Sequence, residues 1–239
     1  MTPKHWTQWA QDFDNQVTDA FSADFNGVIQ KAMDGVFNAR RKRLFVDFGC
    51  GSGSFALAQA KKFDRCVGID SAAGMIELAK RKARGVKNVE FVCESIQGYE
   101  NSQVTDAGLV ACFNVITATS KSVRDKIWRR VGGMLARDGV ALVVCPSLES
   151  VQMVTAACKA RSLEPTRYMR RGGIVVTEGV SQQFFTRESL VAELEANGLK
   201  SILLEKVPYK WPHEGLDGRV MRGVEYPWDW LVGVRRALS

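Results

Sequence analysis

Asp47, Gly49, Gly51, Gly53 and, twenty-one positions after Gly49, Asp70 have types and spacing that suit ligand chemistry. The glycines follow an apolar run, Leu44 to Phe48, and precede Phe55, Leu57, Ala58 and Ala60. That order predicts a buried strand, a tight turn and a helix. Glycine lets such a turn bend sharply and lets a ligand approach main-chain N–H groups without meeting a Cβ. Purely structural turns share the Gly-x-Gly-x-Gly spelling, so the flanking acids must discriminate. A carboxylate at Asp47 repels a pyrophosphate, and position 54 is serine where the dinucleotide pattern has its third glycine. The same carboxylate suits an ammonium group. Asp70 closes the apolar stretch Cys66-Val-Gly-Ile69, a place where an acid accepts both hydroxyls of a ribose.

A ligand joining an amino acid to a nucleoside is S-adenosylmethionine. The run Asp47-Phe-Gly49-Cys50-Gly51-Ser-Gly53 resembles the first motif of the class I S-adenosylmethionine-dependent methyltransferases. Val67-Gly-Ile-Asp70-Ser71-Ala-Ala-Gly-Met75 resembles their second. The alternative, a glycine turn and two surface aspartates at chance spacing, needs two independent coincidences. The resemblance implies S-adenosylmethionine as cofactor and S-adenosylhomocysteine as product. It implies cofactor contacts from Asp47, Gly49, Cys50, Gly51 and Gly53, and from Asp70, Ser71 and Met75, with an apolar residue after the acid packing on adenine. Glu94, after the third predicted strand, falls where the family places an acid near the adenine amino group, with Ser95 and Ile96 flanking the ring. A solvated loop acid is the other reading of Glu94. Phe113 and Asn114 end the fourth predicted strand, at the mouth where open α/β sheets bind ligands. Asn114-Val-Ile-Thr117 lacks the Asn/Asp-Pro-Pro-aromatic tetrad of many nucleobase amino-methylating enzymes, so that class loses support.

These residues require an alternating scaffold. Periodicity predicts strand one, the glycine turn and a first helix over 43–62, further strands over 65–69, 89–93, 107–113 and 140–145, and helices over about 72–84 and 122–135 between them. Beyond Pro146 a helix is expected near 149–161, then a strand-like run from Ile174 to Phe185. A helix capped by Thr186 follows, stopped at Asn197-Gly198, and then strands at 201–207 and 228–234. The fold class is α/β, a Rossmann-like doubly wound seven-stranded sheet. The resemblance makes it mostly parallel, with the last strand antiparallel and inserted between the fifth and sixth. One methyltransferase domain is expected over 1–239: a helical N-terminal cap (1–36), a cofactor-binding core (37–145), a substrate-cap insertion (146–185) and a C-terminal part with an aromatic loop (186–239). Trp6, Trp9, Phe13, Val17, Phe21 and Phe25 recur at helical spacing. A helix docked on the core explains the stripe; the resemblance adds that Trp6, Trp9 and Phe13 cover the acceptor. Phe13-Asp14 stands where many relatives have tyrosine and Asp, so a hydroxyl is missing there.

The chain has 239 residues, 46% of them hydrophobic and 25% charged, which is the balance of a globular α/β protein. No apolar run approaches a membrane span and no signal-peptide pattern opens the sequence, so a cytoplasmic protein with no membrane partner is expected. Six cysteines lack C-x-x-C spacing and read as small apolar residues, with no metal site. The net charge of +7 invites a nucleic-acid partner. Yet Arg40, Arg41, Lys42, Arg43, Lys61, Lys62, Arg65, Lys80, Arg81, Lys82, Arg84 and Lys87 fall at strand starts or helix ends, the pole opposite the mouth. Residues 1–36, with five aspartates and two lysines, would repel a phosphate backbone. Lys159, Arg161, Arg167, Arg170 and Arg171 sit in the insertion, as solvated surface or facing an anionic acceptor group. Trp211 and His213, in the aromatic loop after strand six, are expected to touch the acceptor. His213 is the better candidate base of the two histidines, with a plain surface histidine as its other reading. The leading function is in-line methyl transfer to a small molecule. An RNA or protein methyltransferase, a non-catalytic S-adenosylmethionine-binding protein and, distantly, a nicotinamide oxidoreductase are the alternatives.

Overall fold

The computed structural model describes residues 20–36, 43–99, 104–177 and 179–237. Two short helices, α1 (Ala20–Ala23) and α2 (Val28–Val36), precede the sheet. Then strands and helices alternate: β1 (Leu44–Phe48), α3 (Ser54–Gln59), β2 (Arg65–Asp70), α4 (Ala73–Lys82), β3 (Val89–Cys93), β4 (Ala107–Phe113), α5 (Lys121–Met134) and β5 (Leu135–Pro146). After α6 (Leu148–Lys159) come three short strands, β6 (Arg167–Met169), β7 (Ile174–Thr177) and β8 (Val180–Gln183). The chain closes with α7 (Arg187–Ala196), β9 (Leu199–Pro208), a short 3-10 turn (Trp211–Glu214) and β10 (Trp228–Arg236).

The main sheet has the order β3-β2-β1-β4-β5-β10-β9. Its first five strands pair in parallel, and β10 runs antiparallel between β5 and β9. This is the expected seven-stranded, doubly wound sheet with its reversed last strand. Alternation along β1 sends Leu44, Val46 and Phe48 to one face, against Ile127, Trp128 and Val131 of α5 and Leu190 and Leu194 of α7. Phe45 goes to the other face, with Phe55 and Ala56 of α3, Ile76 of α4 and Ile29 and Met33 of α2. Both faces are covered, so the central strands read as continuous apolar runs in the sequence.

Two local expectations are corrected. The run from Ile174 to Phe185 is a hairpin, β7–β8, in a separate three-stranded antiparallel sheet with β6. Strand β5 starts at Leu135, before Asp138-Gly139, through a register shift opposite Ala107. Gly139 permits this because a Cβ there would lie 2.5 Å from the Ala107 carbonyl oxygen. The small sheet is fastened to the mouth of the large one. Gln183 N donates to Thr117 O at 2.8 Å, and Phe185 N donates to Pro146 O at 2.9 Å. Among the described residues no helix is long and apolar enough to cross a membrane. Five cysteines are buried and Cys93 is exposed.

Candidate functional site

Strand β1 ends at Phe48, and the turn after it holds three glycines at positive φ: Gly49 (72°), Gly51 (51°) and Gly53 (78°). A Cβ at Gly49 would overlap Val115, from the loop after β4, and one at Gly53 would overlap the Phe91 ring of β3. Gly53 therefore serves close packing between α3 and the sheet, while Gly49, Cys50 and Gly51 border the cavity above it. The turn's N–H groups are largely committed inside the protein. Those of Gly49 and Cys50 donate to Ile69 O at 2.8 and 3.2 Å, and that of Gly53 to Cys50 O at 2.9 Å. Gly51 N donates to Asp70 Oδ2 at 3.0 Å. A phosphate needs such donors free. The buried carboxylate of Asp47 beside the turn suits an ammonium group.

Asp70 closes β2 at the neighbouring strand tip. Its Oδ1 accepts from Ala72 N at 2.8 Å while Oδ2 holds Gly51, so one carboxyl group ties the glycine turn to the start of α4. Burial pushes this carboxyl above its usual range, against backbone hydrogen bonds from Ala72, Gly51 and Ser71 that pull it down. Burial also raises the Cys50 thiol, and the Asp47 and Asp70 carboxylates raise it further, so it stays protonated and neutral.

A cavity of about 570 Å³ spans the tips of β1, β2 and β4 and the loop after β3. Asp47, Gly49, Cys50, Gly51, Asp70, Ser71, Met75, Ser95, Ile96, Phe113 and Asn114, all foreseen from the sequence, line it. Gly53 and Glu94 do not. Glu94 stands beside it, its backbone N donating to Asp70 O at 2.9 Å. Trp211 is buried against Val154, Cys158 and Met221, and His213 is exposed; neither lines the cavity. Trp211 thus packs on α6, whereas Tyr209 at the start of the same loop lies beside Asp229 and Asn114. Trp6, Trp9 and Phe13 lie outside the described residues. Sequence reasoning passed over Val115, Thr117 and Ala118 after β4, and Ser181 and Gln182 of β8, which line the cavity's other end. Their only sequence signal was position, just after a strand at the sheet mouth and inside the insertion. Lys82, expected at the far pole, instead reaches Ser52 Oγ at 2.9 Å and Ser54 Oγ at 3.3 Å.

Two polar clusters hold that other end. Asn114 sits at positive φ (55°), a conformation asparagine tolerates, and its Nδ2 donates to Asp229 Oδ2 at 3.2 Å. Asp229, at the start of β10, also accepts from Ser147 N at 3.3 Å. Burial pushes its carboxyl up to about 6, against the charge of Arg167 and the hydrogen bond from Asn114. On the opposite face Arg124 of α5 grips Glu193 of α7 with two bonds of 2.8 Å. Its third nitrogen donates to the carbonyls of Ala118 and Thr119 at 2.8 and 3.0 Å, fixing the loop that borders the cavity.

Residues 45–139 match the family model described as a methyltransferase domain. A carboxy-S-adenosyl-L-methionine synthase of Helicobacter pylori (strain G27) is 28% identical over 109 residues, 44% of this chain and 44% of that protein. The chain therefore spans less than half the length of that curated relative. Among solved structures, a 1,6-didemethyltoxoflavin-N1-methyltransferase of Burkholderia thailandensis, with its substrate and S-adenosylhomocysteine bound, superposes with a TM-score of 0.68 at 14% identity, covering 99% of this chain and 87% of that one. An S-adenosylmethionine-dependent methyltransferase of Clostridium acetobutylicum gives 0.64 at 14% identity, covering 98% and 100%. Residues 45–139 are thus similar to a methyltransferase domain, and the whole chain shares the fold of the S-adenosylmethionine-dependent methyltransferases on which it superposes.

Proposed function

We propose that the protein transfers a methyl group from S-adenosylmethionine to a small-molecule acceptor enclosed at the sheet mouth. The observation that carries this is the lining of the cavity beyond the glycine turn. Asn114, Val115, Thr117, Ala118, Ser181 and Gln182 are all uncharged, and the described lining residues include no Lys or Arg. A partly apolar pocket with a few polar groups suits a small ligand, whereas a nucleic acid would call for cations. A lining without cations also disfavours a carboxylate-bearing second ligand, as the synthase relative's product name would suggest. The toxoflavin-type methyltransferase, similar in fold, is a small-molecule enzyme by its name, which supports the same reading.

The adenosine half belongs near Asp70, Met75 and Ser95–Gln97, at the tips of β2 and β3, and the amino-acid half near Asp47 and Gly49. The transfer end then faces Asn114, one strand over. Asp47, Asp70, Met75 and Ser95 would hold S-adenosylmethionine, which when bound would supply an activated methyl group to an acceptor lone pair. This chain's own contribution is position and shelter. Arg124 stiffens the loop 117–119, and β8 roofs it with Ser181 and Gln182. Collinear approach of pre-bound reactants supplies most of what such a displacement needs.

The test is incorporation of label from methyl-labelled S-adenosylmethionine into a small-molecule cell extract, total RNA and a protein fraction offered in parallel. Label in the small-molecule fraction is expected. Label in RNA, falling steeply with salt, would replace this reading by a nucleic-acid one.

A further inference from the structure

Asn114 lines the cavity, and the group behind it fixes which way its amide points. Nδ2 lies 3.2 Å from Asp229 Oδ2, and an ionised carboxylate only accepts hydrogen bonds. The amide nitrogen must therefore face Asp229, which turns Oδ1 toward the cavity. The mouth thus presents a hydrogen-bond acceptor backed by a half-buried negative charge. Cations near Asp229 do not cancel that charge. Arg167 of β6 is paired with Glu214 at 3.0 Å, so one guanidinium serves two carboxylates. The other neighbours that feel Asp229 are Tyr209, after β9, and Cys145 of β5, both neutral because burial raises them; Asp24, near Tyr209, adds negative charge.

We propose that Asn114 and Asp229 form an accepting seat for an N–H group, so that the atom methylated is a neutral nitrogen of the acceptor. This rests on the methyltransferase reading and deepens it. A carboxylate or phosphate would meet Asn114 Oδ1 and the charge of Asp229 as repulsion. A thioether or tertiary amine has no hydrogen to donate. A hydroxyl needs a base at its proton before it attacks, and Asp229 stands behind Asn114, outside the cavity lining. A neutral nitrogen attacks with its own lone pair, and the positive charge it gains is the charge Asp229 favours. The proton then leaves to water.

Two ligands read the seat without a known acceptor. S-adenosylhomocysteine leaves the transfer position empty; sinefungin, its analogue with an amino-bearing carbon in place of sulfur, puts an ammonium there. Calorimetry at pH 7.5 should find sinefungin at least about tenfold tighter. The margin should shrink toward pH 5 as Asp229 takes up its proton, since its carboxyl titrates at about 6. In Asp229→Asn the margin should fall about tenfold and lose its pH dependence, with S-adenosylhomocysteine affinity reporting that the variant is folded. The wild-type pH series tests the same point with no variant at all. A margin intact in Asp229→Asn overturns the seat while leaving the cofactor site standing, as does a margin equal at both pH values where the stability of Asp229→Asn relative to wild type shifts between pH 4 and pH 7. Absence of S-adenosylhomocysteine binding overturns the methyltransferase reading itself. The labelled product of the extract experiment should carry N-methyl, and an O- or S-methyl product would also overturn the proposal.

Discussion

Asp70 and Gly53 are both motif residues, yet their surroundings give them different work. Asp70 already holds the N–H groups of Gly51 and Ala72, so its removal frees the turn and, on the proposed cofactor placement, also deprives a ribose of its acceptor. Asp70→Ala should weaken S-adenosylhomocysteine binding by about 2–4 kcal/mol, measured by calorimetry. Unchanged affinity would remove this acid from the site. Gly53 borders packing and not the cavity. Gly53→Ala places a methyl group against Phe91 and Ala79 at φ 78°, which calls for a loss of folding stability of roughly 2–4 kcal/mol. Urea denaturation should reveal that loss, with ligand affinity changed less than stability. An unaltered midpoint would mean that the Phe91 ring swings aside.

Helices α5 and α7 meet through one buried ion pair, and the loop after β4 hangs from it. Arg124 satisfies Glu193 and two loop carbonyls, and Trp128 Nε1 adds a third bond to Glu193 at 3.1 Å. Arg124→Ala strands a buried carboxylate, a change that costs about 3–5 kcal/mol in such pairs. Thermal melting should drop accordingly, and hydrogen exchange should quicken at 117–119 before it does in β1 or β4. Arg124→Ala with full protection in that loop would show the loop to be held by β8 alone. None of this coupling was legible in the sequence, because Arg124 and Glu193 stand 69 positions apart and each reads as an ordinary helix-surface charge. What was legible followed local rules. Apolar runs gave the central strands, Thr186 capped α7 through Ser189 N at 3.1 Å, and the glycine turn with Asp70 marked one wall of the cavity. The acceptor end was misread where aromatic type was taken for orientation. Trp211 has the composition of a pocket wall, but it is Met221 and α6 that it covers.

Across the molecule, several cations pair at the surface, as Lys62 does with Asp34 and Arg65 with Glu90, and Lys82 reaches Ser52 and Ser54 at the cavity's edge, while the mouth holds acid. That acid makes stability depend on pH in a definable window. The Asp229 carboxyl moves from an ordinary 3.8 to about 6 in the fold, chiefly because burial disfavours its charge. Between those values the folded chain binds a proton that the unfolded chain has released, so stability falls as pH rises through the window. Below about 4 both states are protonated, and above about 6 both are ionised with the penalty fully in place. Two pH units correspond to about 3 kcal/mol. Glu214, raised by burial against Arg167, slopes the same way, whereas exposed Asp34 and Asp125, both lowered, slope oppositely and are screened by solvent. Asp229→Asn removes one contribution from this sum. The variant's stability relative to wild type should therefore improve by about 3 kcal/mol between pH 4 and pH 7, read from urea denaturation at each pH. A constant difference would place the Asp229 carboxyl at its ordinary value. The negative charge behind Asn114 would then persist to pH 5, and the sinefungin margin would have to stay flat with it.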